Sequence, residues 1–218
     1  MNGVFNAIRS NAIAIGLFAI VTSAVIAFTQ LATQTRISHN KAEFQARALF
    51  EIVPRSLDPE LVSHTMQISA PELGSKEPIQ VYQAIRNGQV EAVLMPVTAP
   101  DGYSGDIELL VGIHADSSLA GIRVLSHKET PGLGDKVELS KSDWILSFSD
   151  ARMATGGDDS WAVKKDGGRF DQFTGATITP RAIVAAAARA IEFFRVHRTR
   201  LLTPVTDPAQ TQAAGATE

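Results

Sequence analysis

No charged side chain occurs between Arg9 and Arg36, and the interval is apolar almost throughout. Its core, Ala12 to Leu31, reads AIAIGLFAIVTSAVIAFTQL. About twenty residues rising 1.5 Å each span a hydrocarbon layer of roughly 30 Å. The stretch therefore predicts a transmembrane helix over 10–33, with a short tip at 1–9. Gly16, Ser23, Ala24 and Ala27 are small enough for close packing against a neighbouring helix. A cleaved signal peptide is the rival reading, with Val25-Ile26-Ala27 as its small-residue site. The apolar run is longer than the 7–15 residues of a signal core, which favours a retained anchor. Arg9 lies on one side of the span, and Arg36, Lys41 and Arg47, with Glu43 among them, lie on the other. A bare count of Lys and Arg would put the carboxyl side in the cytoplasm. That rule weakens when a long domain follows, so charge leaves the side open.

The 218 residues leave room for one further domain, and 44% apolar with 20% charged residues is ordinary for a folded one. A net charge of −3 offers no basic excess to neutralise phosphates and argues against nucleic-acid binding. There is no cysteine, which excludes disulfides, Cys-ligated iron–sulfur clusters, zinc–cysteine sites and thioether-linked haem. His39, His64, His114, His127 and His197 show no metal-binding spacing and read as surface or packed side chains.

After the span, His39 to Ile52 has helical periodicity, with Phe44, Ala48, Leu49 and Ile52 on one face, and Pro54 ends it. Ile79 to Arg86 and Gln89 to Val97 read as strands joined by Asn87-Gly88, the pair that suits a type I′ hairpin. Pro96 suggests that the second strand ends there or lies at an edge. Ile107, Leu109, Val111 and Ile113 alternate with Glu108, Leu110, Gly112 and His114 as a half-buried strand, and Leu119 to Ser126 is its antiparallel partner. Asp143 to Phe148 is a short apolar helix or strand, and Trp161 to Val163 precedes a hairpin-like turn at Asp166-Gly167-Gly168. A last helix runs from about Pro180 to Arg198, with Thr179 as N-cap, Pro180 as first residue, and an apolar stripe of Ile183, Val184, Ala187, Ala188, Ile191 and Phe194. From Thr203 the composition reads as a disordered tail, 203–218. Four meandering strands and a closing helix make an α+β domain over 34–202: an antiparallel sheet flanked by helices.

Two loops could carry chemistry. In Asp171 to Thr179, Gly175 permits a sharp turn or a close backbone approach, Ala176 keeps bulk away, and the following helix aims its free amides and positive dipole end at the loop. A phosphate would be stabilised there, beside a hydroxyl able to form a phosphoester. The plain alternative is that Thr174, Thr177 and Thr179 cap the helix. In Glu129-Thr130-Pro131-Gly132-Leu133-Gly134-Asp135-Lys136, two glycines flank a leucine after a proline. That gives either an ordered loop able to approach a flat ring or a simple turn. Glu129 and Lys136 could pair or set local charge. Gly102-Tyr103-Ser104-Gly105 reads as a strand-entry turn, Lys164, Lys165 and Arg169 as a solvated basic group, and Asp158-Asp159 as a loop.

Asp171-Gln172-Phe173-Thr174-Gly175-Ala176-Thr177 resembles the flavinylation motif D-x-x-[S/T]-G-A-[T/S] of bacterial FMN-binding domains. In that family a flavin transferase moves the FMN part of FAD onto the closing hydroxyl and releases AMP. The resemblance makes Thr177 the attachment residue and Asp171, Thr174, Gly175 and Ala176 its recognition context. The run from His127 to Gly134 is similar to a second loop of these domains, H-x-E-T-P-G-L-G. It is expected to border the flavin ring through Glu129, Thr130, Gly132, Leu133 and Gly134, with Thr130 and Leu133 as the nearest contacts. With the span included, most of the chain resembles the G-type subunits of the Rnf ion-translocating oxidoreductase complexes. The C-type component of the sodium-translocating NADH:quinone reductase shares the domain and is the alternative. A cofactor-free membrane-tethered scaffold is another. The resemblance implies covalent FMN, electron transfer between ferredoxin and NAD coupled to ion movement, and neighbouring membrane subunits as partners. It also implies an inner-membrane location with a cytoplasmic tip and a periplasmic domain.

Overall fold

The computed structural model describes residues 2–205; the expected tail lies outside the described residues from 206 on. The chain divides into two compact units, Met1–Phe44 and Gln45–Glu218.

The first unit is built on α1 (Asn2–Ile52). Within α1, Ile8–Gln34 is long and apolar enough to cross a membrane. Its large apolar side chains, from Ile8 through Phe18 and Phe28 to Leu31, are all exposed. A helix apolar on every face has no stripe to lay on a water-soluble core and suits lipid instead. Thr22, Thr29 and Thr33 donate their hydroxyls to carbonyls four residues back, at 2.8–2.9 Å, so none carries an unmet donor into an apolar layer. The helix expected from His39 is the end of this same element, because neither Gly nor Pro occurs between Gly16 and Pro54 to interrupt it.

In the second unit five strands form one antiparallel sheet in chain order: β1 (Thr65–Ile68), β2 (Ile79–Arg86), β3 (Gln89–Ala99), β4 (Ile107–His114) and β5 (Leu119–Ser126). The β2–β3 turn has Asn87 at φ 53° and Gly88 at φ 74°, the two positive angles of a type I′ hairpin. β1 is an edge strand that four residues of sequence do not announce. Pro96 does not end β3. It pairs with Leu110 of β4 in the middle of the strand, but the ladder with β2 stops at Leu94, so β3 has only one neighbour there. The proline satisfies the edge condition locally, inside a sheet where β3 is central.

β4 is buried on both faces rather than one. Ile107, Leu109, Val111 and Ile113 face the larger core with α2 (Ile178–Val196), where Ile183, Ile191 and Phe194 are fully buried. Leu110 faces a smaller core with Ala48, Leu49, Val53 and Leu61. The end of α1 thus covers the second face, and Gly112 makes room for it: a Cβ there would lie 2.6 Å from Ile52 Cγ2. Phe44, expected on the same buried face, is exposed.

Between β5 and α2 the chain is irregular and held by aromatic packing. Asp143–Phe148 is a 3-10 helix capped by the Ser142 hydroxyl, which accepts from Trp144 N at 3.0 Å. Trp144, Phe148, Phe170, Trp161 and Phe173 form a chain of rings 4.4–5.2 Å apart. The hairpin expected at Asp166–Gly168 is instead a 3-10 turn ended by Gly167, followed by an isolated parallel bridge between Val163 and Phe170. After α2 and the short α3 (Arg198–Leu201), the buried Gln83 of β2 clasps the chain. Its amide donates to the Leu201 and Thr203 carbonyls and accepts from Val205 N, each at 2.8 Å. The first three residues of the expected tail are therefore tied to the sheet.

Candidate functional site

Three segments meet at the start of α2 around a pocket of about 320 Å³. The first is the turn before β4, the second the loop after β5, and the third the run into α2.

The third segment turns at Phe173-Thr174-Gly175-Ala176, closed by Ala176 N donating to Phe173 O at 3.0 Å. Gly175 has φ +84°, and a Cβ there would meet only Leu133 Cδ2, at an ordinary contact distance of 3.6 Å, so the backbone angle and not crowding calls for glycine. α2 begins two residues later than the turn ends, at Ile178. This corrects the expected cap. Thr177, not Thr179, stands at the N-cap position, and Thr179 and Pro180 lie within the first turn. Thr177 has helical backbone angles and its side chain makes no capping bond. Its hydroxyl makes no hydrogen bond among the described residues, is partly exposed, and lines the pocket. The first amides of α2 have no acceptor within the helix and carry the positive end of its dipole.

The second segment is a turn with Pro131 and Gly132 at its centre. Gly132 has φ +79°, and both Leu133 N and Gly134 N donate to Thr130 O at 3.1 Å. Thr130 and the half-exposed Leu133 reach the pocket, as do Glu129 and Gly134, whereas Gly132 does not line it.

Glu129 joins the segments. It is 5% exposed, and its carboxylate accepts the Thr179 hydroxyl on one oxygen and Ser104 N on the other, the latter at 2.9 Å. Its own amide donates to His127 Nδ1 at 3.0 Å, so Nε2 carries the ring proton and donates it to Glu138 at 2.7 Å. Burial pushes the Glu138 carboxyl up, but the hydrogen bonds from His127 and Ser140 outweigh it and hold the group below its ordinary range. Of the two roles open for Glu129, pairing with Lys136 is thus displaced by contacts with Ser104 and Thr179. Gly134 packs against this contact: a Cβ there would lie 2.7 Å from Glu129 Oε2 and 3.0 Å from Thr179 Oγ1.

The turn Gly102–Gly105 is part of the site, not only a strand entry. Tyr103, 69% exposed, lines the pocket while Ser104 is held by Glu129. Ile178 adds a third exposed apolar surface beside Tyr103 and Leu133. Sequence reading passed over Tyr103, Ile178 and the contact role of Thr179. An aromatic between two glycines was the available signal for the first. Asp171 and Thr174 lie outside the pocket. Asp171 pairs with Lys164 at 2.6 Å and its carbonyl accepts Trp144 Nε1 at 2.7 Å, while Thr174 is exposed. Of the expected basic group Arg169 is also engaged: it lies 4.4 Å over the Trp161 ring.

Comparison with known proteins agrees with this layout. Residues 102–192 match the family model described as FMN-binding domain, and residues 1–52 match the RnfG N-terminal region. The G-type component of the ion-translocating oxidoreductase complex of Pseudomonas aeruginosa is 47% identical over 196 residues, 89% of this chain and 92% of its own length. Proteins of the same name from Pseudoalteromonas atlantica and Vibrio vulnificus are 45% and 42% identical, over 88% and 91% of this chain and 90% and 95% of theirs. The chain belongs to the RnfG family, the G-type components of the ion-translocating (Rnf) oxidoreductase complexes.

Proposed function

We propose that this protein carries FMN bound covalently through its phosphate to Thr177 and relays electrons within its complex. The observation that supports this best is the contrast between the hydroxyls at the start of α2. Thr179 is buried and engaged by Glu129, whereas Thr177 is open to the pocket and free of any capping bond. The residues present suit the group. A phosphodiester on Thr177 keeps about one negative charge at a helix start, a favourable position by roughly 0.3–1 kcal/mol. Tyr103, Leu133 and Ile178 offer apolar surface for a flat ring, with Thr130 beside them. Asp171 and Thr174, outside the pocket, act as recognition context for the transferase, as does the turn at Gly175 and Ala176.

Attachment uses FAD. The Thr177 oxygen bonds to the FMN phosphorus, the pyrophosphate bond breaks, AMP leaves, and the hydroxyl proton passes to solvent. Once bound, the flavin supplies the electron-carrying chemistry, and the chain positions the ring and limits water around it. Tyr103, Leu133 and Ile178, the exposed apolar residues of the pocket, would hold the ring where it could exchange electrons with a neighbouring membrane protein of the complex. The domain architecture we propose is a cytoplasmic tip at 1–9, a membrane span at 10–33 and a periplasmic FMN domain over 34–202. Its complex couples electron transfer between ferredoxin and NAD to ion movement.

The test is protein purified from cells that contain a flavin transferase. Under ultraviolet light a denaturing gel is expected to show a fluorescent band, and intact mass a gain of one FMN less water. Peptide mapping is expected to place that mass on Thr177. Thr177→Ala loses the band and Thr177→Ser keeps it; a band in Thr177→Ala would overturn the assignment. Reporter fusions at the carboxyl terminus test topology, and cytoplasmic reporter activity would reverse the sidedness.

A further inference from the structure

Thr177 and Thr179 are two residues apart at the start of one helix, and successive residues turn about 100° around a helix axis. Their side chains therefore leave the helix about 200° apart, although both residues line the pocket. Thr179 is fully buried and Thr177 partly exposed. Which hydroxyl faces out depends on the rotation of the first turn, and that turn is weakly defined by its own residues. Thr177 supplies no side-chain cap, and Pro180 has no amide to give.

We propose that Glu129 is a positioning residue that decides which hydroxyl is open to modification. It draws Thr179 inward, fixes the rotation of the first turn of α2, and leaves Thr177 facing the pocket. The inference rests on the reading that Thr177 is the flavin-bearing residue. Glu129 is suited to the task because it is itself held from three sides. Its amide is bonded to His127, one carboxylate oxygen is bonded to Ser104 N, and the backbone of Gly134 packs closely against its side chain. The same carboxylate ties the Tyr103 turn to α2, so two walls of the pocket are joined through it. In effect a side chain fifty residues earlier takes the place of a helix cap.

The experiment uses the full chain in detergent, produced without flavin transferase, then incubated with purified transferase and FAD. Fluorescence in denaturing gels gives the loading rate, peptide mapping gives the site, and tryptophan fluorescence melting confirms folding. Glu129→Ala and Thr179→Ala are each expected to load at least about tenfold more slowly, the factor that corresponds to one hydrogen bond to a charged group. Glu129→Gln is expected to load near the wild-type rate, because its carbonyl can accept from Ser104 and its amide can donate to the Thr179 hydroxyl. Thr179→Ser is expected to do the same. The double variant Glu129→Ala/Thr179→Ala should be no slower than Glu129→Ala, which already removes the bond to Thr179 together with that to Ser104. Wild-type loading by Glu129→Ala, or loss by Glu129→Gln equal to that of Glu129→Ala, would overturn the positioning role. If Glu129→Ala does not fold, the Thr179→Ala and Thr179→Ser pair decides: equal rates overturn the proposal. Full labelling of Thr177→Ala would overturn the attachment reading itself, which none of the other outcomes touches.

Discussion

Gly134 is the position where the geometry of the site predicts the largest effect from the smallest change. Gly134→Ala adds one methyl group, which would lie 2.7 Å from Glu129 Oε2, 2.8 Å from Glu129 Cβ and 3.0 Å from Thr179 Oγ1. Rotating the carboxylate away relieves the first contact but not the second, and it breaks the bond to Thr179. A hydrogen bond to a charged group contributes about 1.5–3 kcal/mol, and overpacking costs about 1–3 kcal/mol. Because relief of one worsens the other, the two are not fully additive, and a loss of about 2–4 kcal/mol is expected. For a domain of this size each kcal/mol moves the midpoint by about 2–4 °C, so melting should fall by about 4–16 °C. Both tryptophans of the chain, Trp144 and Trp161, are buried in this domain, so their fluorescence reports its melting in the full detergent-solubilised chain. Gly132→Ala is the control. Its Cβ would meet nothing within 4 Å, but φ is +79°, so only a backbone cost of about 1–2 kcal/mol applies. A Gly134→Ala midpoint within about 2 °C of wild type, or no lower than that of Gly132→Ala, would refute the packing argument.

Thr177→Ala should melt within about 1 °C of the flavin-free wild type, because its hydroxyl bonds to nothing among the described residues; a larger drop in the same assay would give it a structural role. Phe194→Ala removes a fully buried ring between α2 and the sheet and should cost about 3–5 kcal/mol, read as a lost or strongly lowered tryptophan transition. Gln83→Leu should free residues 201–205 from β2, seen as faster amide hydrogen exchange and earlier proteolysis at the carboxyl end, with the sheet unchanged. Glu138 has its carboxyl held below the ordinary value of 4.5, so its contribution is present above that pH and is lost as pH falls through the depressed value. Glu138→Gln should therefore narrow the gap in melting temperature between wild type and variant as pH drops below about 4.5, and a gap independent of pH would contradict this.

Much of the fold was legible because it rests on local chemistry. Asn87-Gly88 specifies its turn by backbone angle, the alternation in β4 places one face on the core, and twenty uncharged apolar residues admit few folds. What escaped depends on neighbours distant in sequence. Pro96 looks like a strand end until the ladder between β2 and β3 is seen to stop short of it. Leu110 and Gly112 look like the open face of β4 until the end of α1 is placed over them. Phe44 shares the helical period of Ala48 and Leu49, but the period does not say where the cover ends. β1 is too short to carry a pattern, and its register, with Ile68 opposite Ile79, is set by β2.

The same distinction governs the site. Thr174, Thr177 and Thr179 before a proline read naturally as a capped helix start, and by composition alone nothing separates a cap from an attachment point. Capping is a geometric act, though: the cap residue has non-helical angles and its oxygen reaches an amide two or three residues on. None of the three meets that description. Thr174 is exposed in the preceding turn, Thr177 has helical angles and no capping bond, and Thr179 lies inside the helix with its hydroxyl given to Glu129. A cluster of hydroxyls that fails to cap leaves Thr174 and Thr177 without a hydrogen-bonding duty among the described residues, and of these two only Thr177 lines the pocket. That member lies where a helix dipole favours a phosphate, in a pocket shared with Tyr103, Leu133 and Ile178. The motif therefore has its weight not from the number of hydroxyls but from the one among them that is both free of a capping bond and on the pocket wall.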